Sequence, residues 1–494
     1  MKFRLRVHAA VKAAFGLIVL APICTGSLWA EERGTAVSGG ILPGVVQGPA
    51  PQKMGLRDCI QAALQNNRRR TVSRFAVEIT EAQRRQALSA YWPQMELRST
   101  LTQRDDDLID IFPAETSRYT ITGLGPQPLQ PIVLVPEKTV KLMGRTHSVT
   151  TFDLTYPLYT GGLRTAKSRQ AEAGLEAARE EIRRTDLQVV YDIKRYYYGA
   201  VLARNITRIA QDALARLSAT LDLTESLYTK GSGRVKKTDY LQNKVVVESI
   251  RSIVAQMEGR EGLAKAALVN SMGMGWDASI EASEDEIPVL PNQADLKELV
   301  GRAYSSNPDW GQLQAGLKAA EAKVKEANSG HLPRIGLLGS LTHSADSYDK
   351  GIVGPQEDKT WLVGVGVRIP VFNGLLTQGQ VGEARARLGR MEQEKQLLKD
   401  GLALQVTDIF LRMEAAQKQE EASRKAVGAA EENRELNIRA YQNDLVEVGE
   451  VIRAQLMEAF AKAQYQKVRY DHFEARAHLD EVIGEGLQNL PPGE

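Results

Sequence analysis

Residues 56–102 read LRDCIQAALQNNRRRTVSRFAVEITEAQRRQALSAYWPQMELRSTLT, and residues 296–342 read LKELVGRAYSSNPDWGQLQAGLKAAEAKVKEANSGHLPRIGLLGSLT. The two stretches align without a gap at a spacing of 240 residues, and eleven positions are identical. A second block aligns at a spacing of 213 residues. Its identical pairs are Pro157 with Pro370, Gly161 with Gly374, Tyr228 with Tyr441, and Gln242 with Gln455. Self-similarity at a fixed spacing is the signature of a repeated structural unit. The sequence therefore predicts an internal tandem duplication.

Residues 1–30 have the pattern of an export signal. Basic side chains precede an apolar run at 13–23, and small residues lead to a cleavage site after Ala30, with Ser27 as the alternative. Removing the 30 residues takes away four basic and no acidic side chains, which turns the formal net charge from +2 into −2. A near-neutral chain gives no support for a nucleic-acid partner. Lipidation of Cys24 is disfavoured because Ile23 precedes it.

Long helices are predicted because no proline occurs in residues 158–287 or 371–490. Apolar residues at three-and-four spacing indicate one helix from 163 to about 228 and its counterpart from 376 to about 441, each about 100 Å long. A shorter helix follows each of them, and an amphipathic helix precedes each copy at 56–91 and at 296–331.

Short strands alternate between apolar and polar residues near 95–102, 151–156, 334–342 and 360–369. Prolines mark the predicted junctions between helices and strands, namely Pro93, Pro157, Pro333 and Pro370. A half-buried sheet in a water-soluble protein would show the same alternation. Because the chain after the signal lacks an apolar run near the 20 residues of a membrane helix, it is either water-soluble or crosses a membrane as a β-barrel.

The number of strands limits the membrane interpretation. Two hairpins supply four strands, whereas the smallest bacterial barrels need about eight. The membrane interpretation therefore requires an oligomer, and three copies with twelve strands are the simplest closed solution.

The predicted segments follow from these patterns. They are a signal peptide at 1–30, an extended linker at 31–53, a first repeat at 54–275 with a long outer loop at 103–146, a second linker at 276–295, a second repeat at 296–485 and a tail at 486–494. The outer loop could be a mobile loop, a lid or a receptor surface.

The order helix, strand, strand, long helix, helix, found twice behind a signal, resembles the TolC-like outer-membrane efflux protein family. The resemblance is carried by residues 156–162 (YPLYTGG) and 369–374 (IPVFNG), and by residues 228–231 (YTKG) and 441–445 (YQNDL). It implies an α+β membrane protein in which four strands per chain join a trimeric 12-stranded β-barrel in the outer membrane of a Gram-negative bacterium. A long α-helical coiled-coil barrel continues it into the periplasm. It also implies a homotrimer that contacts outer-membrane lipid, works with a periplasmic adaptor and an inner-membrane pump, and exports small molecules or proteins in efflux or type I secretion.

The turns between the two helices of each copy lie at the far end of the long helices and are the predicted gate. Lys236 and Lys237 lie in the first turn, and Glu447 and Glu450 lie in the second, so we expect pairs of opposite charge across neighbouring helices to hold the tip closed. Solvated turn charges, worth about 0–1 kcal/mol per pair, are the alternative. The other predicted gate residues are Tyr228, Tyr441 and Arg453, of which Arg453 replaces an acidic residue usual in the family. Adaptor docking is expected at Gly231, Val235, Leu445 and Val448.

Enzymatic chemistry finds no support in the sequence. Residues 231–238 imitate a phosphate-binding loop, but Lys236 stands where that loop needs glycine. No set of nucleophile, base and oxyanion donors, no metal-ligand cluster and no cofactor site is predicted. The competing hypothesis from another class is a periplasmic coiled-coil adaptor or scaffold whose strands form an ordinary water-soluble sheet.

Overall fold

The computed structural model describes residues 52–106, 108–118, 120, 130–143, 145–231, 235–289, 294–346 and 358–486. The predicted export signal, Cys24, the linker up to residue 51, residues 232–234 of the first turn and residues 487–494 of the tail lie outside the described residues.

Two series of helices of nearly equal length follow one another along the chain. The first series comprises α1 (Leu56–Asn66), α2 (Arg68–Ser89), α3 (Leu163–Thr229) and α4 (Lys237–Ser271). The second comprises α5 (Leu296–Ser306), α6 (Pro308–Asn328), α7 (Leu376–Gln442) and α8 (Val448–Val482), and a 3₁₀ turn, Ser329–His331, follows α6. The helices α3 and α7 have 67 residues each, in agreement with the predicted bounds to within a few residues, and the shorter helices α4 and α8 that follow them have 35 residues each.

The predicted upstream helices are each broken once, so the expectation of continuous helices at 56–91 and 296–331 is wrong. Asn67 and Asn307 have extended backbone angles and serve as the N-caps of α2 and α6, where their side-chain oxygens accept hydrogen bonds from the backbone N–H of Arg69 and Asp309 at 2.8 Å. A side-chain cap of this kind starts a new helix because it satisfies a donor that has no intrahelical partner.

The same two asparagines form what we call helix joints. The Asn67 amide donates a hydrogen bond to the Ser271 carbonyl at 2.7 Å, and the Asn307 amide donates one to the Val482 carbonyl at 3.0 Å. Gly273 and Gly484, each two residues further along, have φ angles of +73° and +74°. Each joint therefore ties the start of a short helix to the end of a 35-residue helix.

Two apolar cores lie beside the joints. The first packs Ile60 of α1 against Ile193 and Tyr197 of α3 and Leu268 of α4, and two short strands, β1 (Gln52–Met54) and β8 (Ile280–Ala282), pair in parallel beside it. The second packs Leu299 of α5 against Val406 and Ile409 of α7 and Leu479 of α8. Equivalent short helices therefore cover equivalent parts of α3 and α7.

Four strands form one antiparallel sheet. They are β2 (Gln94–Gln103), β7 (Thr146–Tyr159), β9 (Arg334–Asp346) and β10 (Lys359–Arg368), in the order β10, β9, β7, β2. The pairing of β7 with β9 joins the strands of the first repeat to those of the second. Because β2 and β10 lie at the ends of this order, each leaves one edge without a partner strand among the residues that the structure describes.

Three of the four prolines lie where helix and strand meet, and one does not. Pro93 and Pro333 immediately precede β2 and β9, and Pro370 follows β10. Pro157, in contrast, lies inside β7, so its assignment to a helix–strand junction is corrected. The register shifts between Pro157 and Tyr159, and a bulge tolerates proline because one residue there makes no ladder hydrogen bond.

The outer segment at 103–146 contains strands where a loop was expected. In its described part, β3 (Leu108–Phe112) pairs with β6 (Lys138–Met143), and β4 (Glu115–Arg118) pairs with β5 (Ile132–Val135), both antiparallel. The pairs are nested, so the described strands of the segment are ordered like the two arms of a hairpin. Continuous β-branched and aliphatic residues at 132–135 favour a strand there.

Candidate functional site

The four-stranded sheet has one apolar and one polar face. Residues that are directly opposite in neighbouring strands lie on the same face. One cross-strand row consists of Leu97, Phe152, Leu341 and Trp361, whose exposed fractions are 70, 36, 56 and 75%. The next row on the other face consists of Arg98, Thr151, Thr342 and Thr360. The apolar face is thus exposed across the full width of the sheet.

Aromatic and aliphatic side chains continue this exposed face at the helix-side end of the sheet, the end where its strands join the helices. Trp92, Tyr159 and Phe372 are exposed there, and Trp361 lies in β10 toward its other end. Val371 and Leu375, between β10 and α7, are exposed as well. Aromatic rings favour the interface between lipid and water, so this distribution suits a sheet that faces lipid.

The two turns at the far ends of the long helices share a backbone conformation. Gly231 follows α3 with a φ of +64°, and Asp444 follows α7 with a φ of +59°. Left-handed backbone ends a helix, and aspartate is among the few other residues that adopt it readily. The second turn therefore keeps the geometry of the first without its glycine.

The charged residues of the predicted gate have the following partners within the chain. Glu450 pairs with Arg453 at 2.8 Å, and the Lys236 backbone N–H donates a hydrogen bond to the Asp239 carboxylate at 2.9 Å. In the described part of this single chain, no ion pair joins Lys236 or Lys237 to Glu447 or Glu450. A contact between different chains would be needed for the expected pairing.

The two gate tyrosines lie in different surroundings. The ring of Tyr228 stacks on that of Tyr240, with ring centroids 5.9 Å apart, and the Tyr240 hydroxyl donates a hydrogen bond to Glu225 at 3.2 Å. Tyr441 packs against an apolar cluster formed by Leu217, Val247, Val448 and Ile452. Packing among α3, α4, α7 and α8 therefore holds the four helices together near the tip.

Only two of the four expected adaptor contacts are on the surface. Leu445 is 76% exposed and Gly231 is exposed, whereas Val235 and Val448 are buried within the chain. The side chains that a partner can reach at the tip are accordingly fewer than the sequence predicts.

One charge cluster near the tip was not predicted. Glu458 of α8 has a side chain only 3% exposed, and three cations surround it. Its carboxylate lies 2.7 Å from Arg216 of α3, 3.2 Å from Arg434 of α7 and 2.7 Å from Lys462 of α8. Lys462 also pairs with Glu431 of α7 at 2.8 Å. We call these five residues the Glu458 cluster, and it connects three helices.

The cluster shifts the pKa values of its members. Burial acts to raise the pKa of Glu458, but hydrogen bonds from Lys462 and Arg216 outweigh it and lower the pKa below its ordinary value of 4.5. Burial acts to lower the pKa of Lys462, but its two carboxylate partners outweigh it and raise that pKa above 10.5. Both groups are therefore charged at neutral pH.

The described residues lack two other kinds of feature. The described residues hold no group of three or more His, Cys, Asp or Glu side chains that could bind a metal ion. Among the described helices, none is long and apolar enough to cross a membrane.

Comparison with known proteins decides the family. The sequence profile described as "Outer membrane efflux protein" matches residues 141–274 and 299–485. The chain belongs to the outer membrane efflux protein family. Its place is therefore the outer membrane, and its function is that of an efflux channel rather than an enzyme.

Individual relatives of the efflux family agree with this assignment. Protein CyaE of Bordetella pertussis is 26% identical over 317 residues, which are 63% of this chain and 65%, just under two thirds, of CyaE. The outer membrane efflux protein BepC of Brucella suis is 24% identical over 420 residues, which are 82% of each chain. The solved structure of the outer membrane protein VceC of Vibrio cholerae superposes with a TM-score of 0.69 at 19% identity, over 87% of this chain and 96% of VceC, and shows a shared fold.

Membership in the efflux family confirms the predicted resemblance to TolC-like channels. It also favours the outer-membrane channel over the periplasmic adaptor or scaffold. Members of the family are trimeric channels that work with an adaptor and an inner-membrane pump.

Proposed function

We propose that three copies of this chain close a 12-stranded β-barrel in the outer membrane, which α3, α4, α7 and α8 continue as a helical tunnel into the periplasm. The duct would receive small molecules or proteins from an inner-membrane pump through a periplasmic adaptor and release them outside the cell. BepC, which is named as an outer membrane efflux protein, supports a role in export.

The exposed apolar face of the sheet is the observation that carries this proposal. A sheet in a water-soluble protein buries its apolar face, whereas rows such as Leu97, Phe152, Leu341 and Trp361 are uncovered here. Lipid would cover this face, and the polar face would line the lumen. The unpaired edges of β2 and β10 would pair with the edges of neighbouring copies, because a membrane sheet cannot leave backbone groups without partners.

The proposal includes an origin by tandem duplication and the predicted segment bounds. Equal lengths of α3 and α7 and of α4 and α8 support it, as do the two equivalent helix joints. Each copy then contributes two strands and one pair of tunnel helices to the duct.

An arginine on the apolar face tests the membrane assignment. Val363→Arg is expected to destabilise the assembled barrel by about 2–4 kcal/mol, because Val363 shares the apolar face with Met95 and Leu154. The amount of trimer in isolated outer membranes, measured by electrophoresis without heating, should fall sharply.

The neighbouring residue supplies the matched control. Leu362 is also exposed but lies on the polar face, opposite Ser340, so Leu362→Arg should assemble normally. Equal assembly of the two variants would mean that the apolar face does not meet lipid.

The gate is proposed at the tip, with Lys236 and Lys237 of one chain facing Glu447 and Glu450 of its neighbour. Replacement of Lys236, Lys237 and Glu450 by glutamine should raise the single-channel conductance in a planar lipid bilayer several-fold. Each pair is worth at most about 1 kcal/mol, but threefold symmetry repeats it around the tip.

Lys230→Gln, an exposed change in the same turn, is the control and should leave the conductance unchanged. If the triple variant also conducts like the wild type, these charges do not hold the gate.

A further inference from the structure

Two arginines face each other at the helix-side end of the sheet. Arg334 begins β9, Arg368 ends β10, and the two are directly opposite in the antiparallel pairing. Both side chains are exposed, and among the described residues neither makes an ion pair or a hydrogen bond. Like charges directly opposite in a sheet repel each other, so a bound anion would relieve the repulsion between the two arginines.

Glycines make up most of the surface next to the two arginines. Gly336 and Gly366 form the adjacent cross-strand pair on the same face, and Gly364 lies two residues further along β10. A Cβ atom added at Gly364 would meet no heavy atom within 4 Å, and one added at Gly336 would meet its nearest neighbour, the Tyr156 carbonyl oxygen, at 3.5 Å. The Leu338 side chain, opposite Gly364, comes within 3.4 Å of a Cβ added at Gly366, so the three glycines leave a shallow recess that this leucine borders.

Arg334 also lines a cavity of about 440 Å³ between the sheet and the helices. Its other charged lining residues are already matched: Lys323 pairs with Glu326 at 2.9 Å, and Arg387 pairs with Glu383 at 2.6 Å. Three cations against two carboxylates leave the charge of Arg334 uncompensated.

Positive charge is not in excess on the rest of the polar face, where Arg98 shares the described strands with the two carboxylates Glu96 and Asp153. Glu96 pairs with Arg98 at 2.8 Å, and Asp153 accepts a hydrogen bond from the Ser340 hydroxyl at 2.8 Å. Among the described residues of the polar face, uncompensated positive charge is therefore concentrated at the helix-side end, in Arg334 and Arg368.

We propose that Arg334 and Arg368 form an anion-binding collar that takes phosphate, sulfate or carboxylate groups of anionic cargo. A guanidinium group binds such oxyanions through two parallel hydrogen bonds, which suits a pair of arginines beside a recess lined by glycines. The inference rests on the proposed function, because only a trimer would place six guanidinium groups around one lumen. These guanidinium groups would be the first charged groups of the barrel that an anion meets when it leaves the helical tunnel.

Block of the open channel by tripolyphosphate tests the collar. The purified protein is placed in a planar lipid bilayer, tripolyphosphate is added on the side of the barrel mouth, and the half-blocking concentration is measured. The double variant R334Q/R368Q should need at least tenfold more tripolyphosphate than the wild type. The control E96Q/R98Q, which removes a matched pair of charges from the same face, should stay within about twofold, because a compensated pair attracts anions little.

The outcomes separate the two proposals. A wild-type channel that conducts but is not blocked, or an R334Q/R368Q channel that is blocked like the wild type, overturns the collar and leaves the duct standing. Loss of the trimer in R334Q/R368Q would show that the arginines meet carboxylates of neighbouring copies and would also overturn the collar. A wild-type protein that forms no pore overturns both proposals.

Discussion

Glu458→Gln is expected to lower the free energy of unfolding by about 3 kcal/mol per subunit, measured by urea denaturation in detergent. Removing one partner of a buried ion pair leaves the others uncompensated, which typically costs about 3–5 kcal/mol. The partial exposure of Arg216 and Lys462 places the expected value at the lower end. Glu414→Gln, which breaks an exposed pair with Lys418 on α7, should cost at most about 0.5 kcal/mol.

A double variant distinguishes loss of charge balance from loss of packing. Glu458→Gln combined with Lys462→Gln removes one negative and one positive charge, so it should recover part of the loss. If the double variant recovers no stability, the loss in Glu458→Gln comes from the changed shape of the side chain rather than from the lost charge.

The stability of the protein should also depend on pH through Glu458. Because the pKa of Glu458 is lower in the folded protein, its contribution to stability is complete above the ordinary pKa of 4.5 and is lost as the pH falls through the pKa of the folded state. The variant should therefore lose less stability than the wild type on acidification.

Gly273→Ala and Gly484→Ala should each destabilise the protein by about 2–4 kcal/mol, measured in the same way. Both glycines have left-handed backbone, which costs alanine about 1–3 kcal/mol. An added Cβ would also lie closer than 3.0 Å to the carbonyl oxygen of Asn66 or of Ser306, respectively. Backbone of the opposing helix would have to move, and with it the hydrogen bond of the helix joint.

A third glycine serves as the control for these substitutions. Gly262 lies inside α4, and a Cβ added there would meet no heavy atom within 4 Å. Gly262→Ala should therefore stabilise the helix by about 0.5–1 kcal/mol. If Gly273→Ala stabilised the protein as Gly262→Ala is expected to do, the helix joint would not constrain the end of α4 against the start of α2.

Regular features were predictable from the sequence because each depends on neighbours along the chain. The bounds of α3 and α7 follow from proline-free, periodic segments, and the strands follow from alternation. The break at Asn67 was missed because the arginines that follow it are good helix formers. Its counterpart carried a clearer signal, since Pro308 directly follows Asn307 and favours the first position of a helix.

Contacts between distant segments could not be predicted in this way. Arg216 and Glu458 are 242 residues apart, and no spacing rule connects them. The same holds for Arg334 and Arg368, which face each other only because of the register of β9 and β10. Pro157 was assigned to a junction because a proline usually ends a strand, and the bulge that admits it depends on its partner strand.

The two unpaired edges of the sheet have a consequence for how the chain comes to be folded. A chain on its own in water exposes the backbone ladders of β2 and β10 together with a wide apolar face, and either feature invites contacts with the wrong strand. Collisions that give such contacts become more frequent as chains accumulate, whereas the helices can form without a neighbour. We therefore expect the sheet to order last, when subunits and lipid meet, and the yield of correct assembly to depend on how slowly chains are supplied.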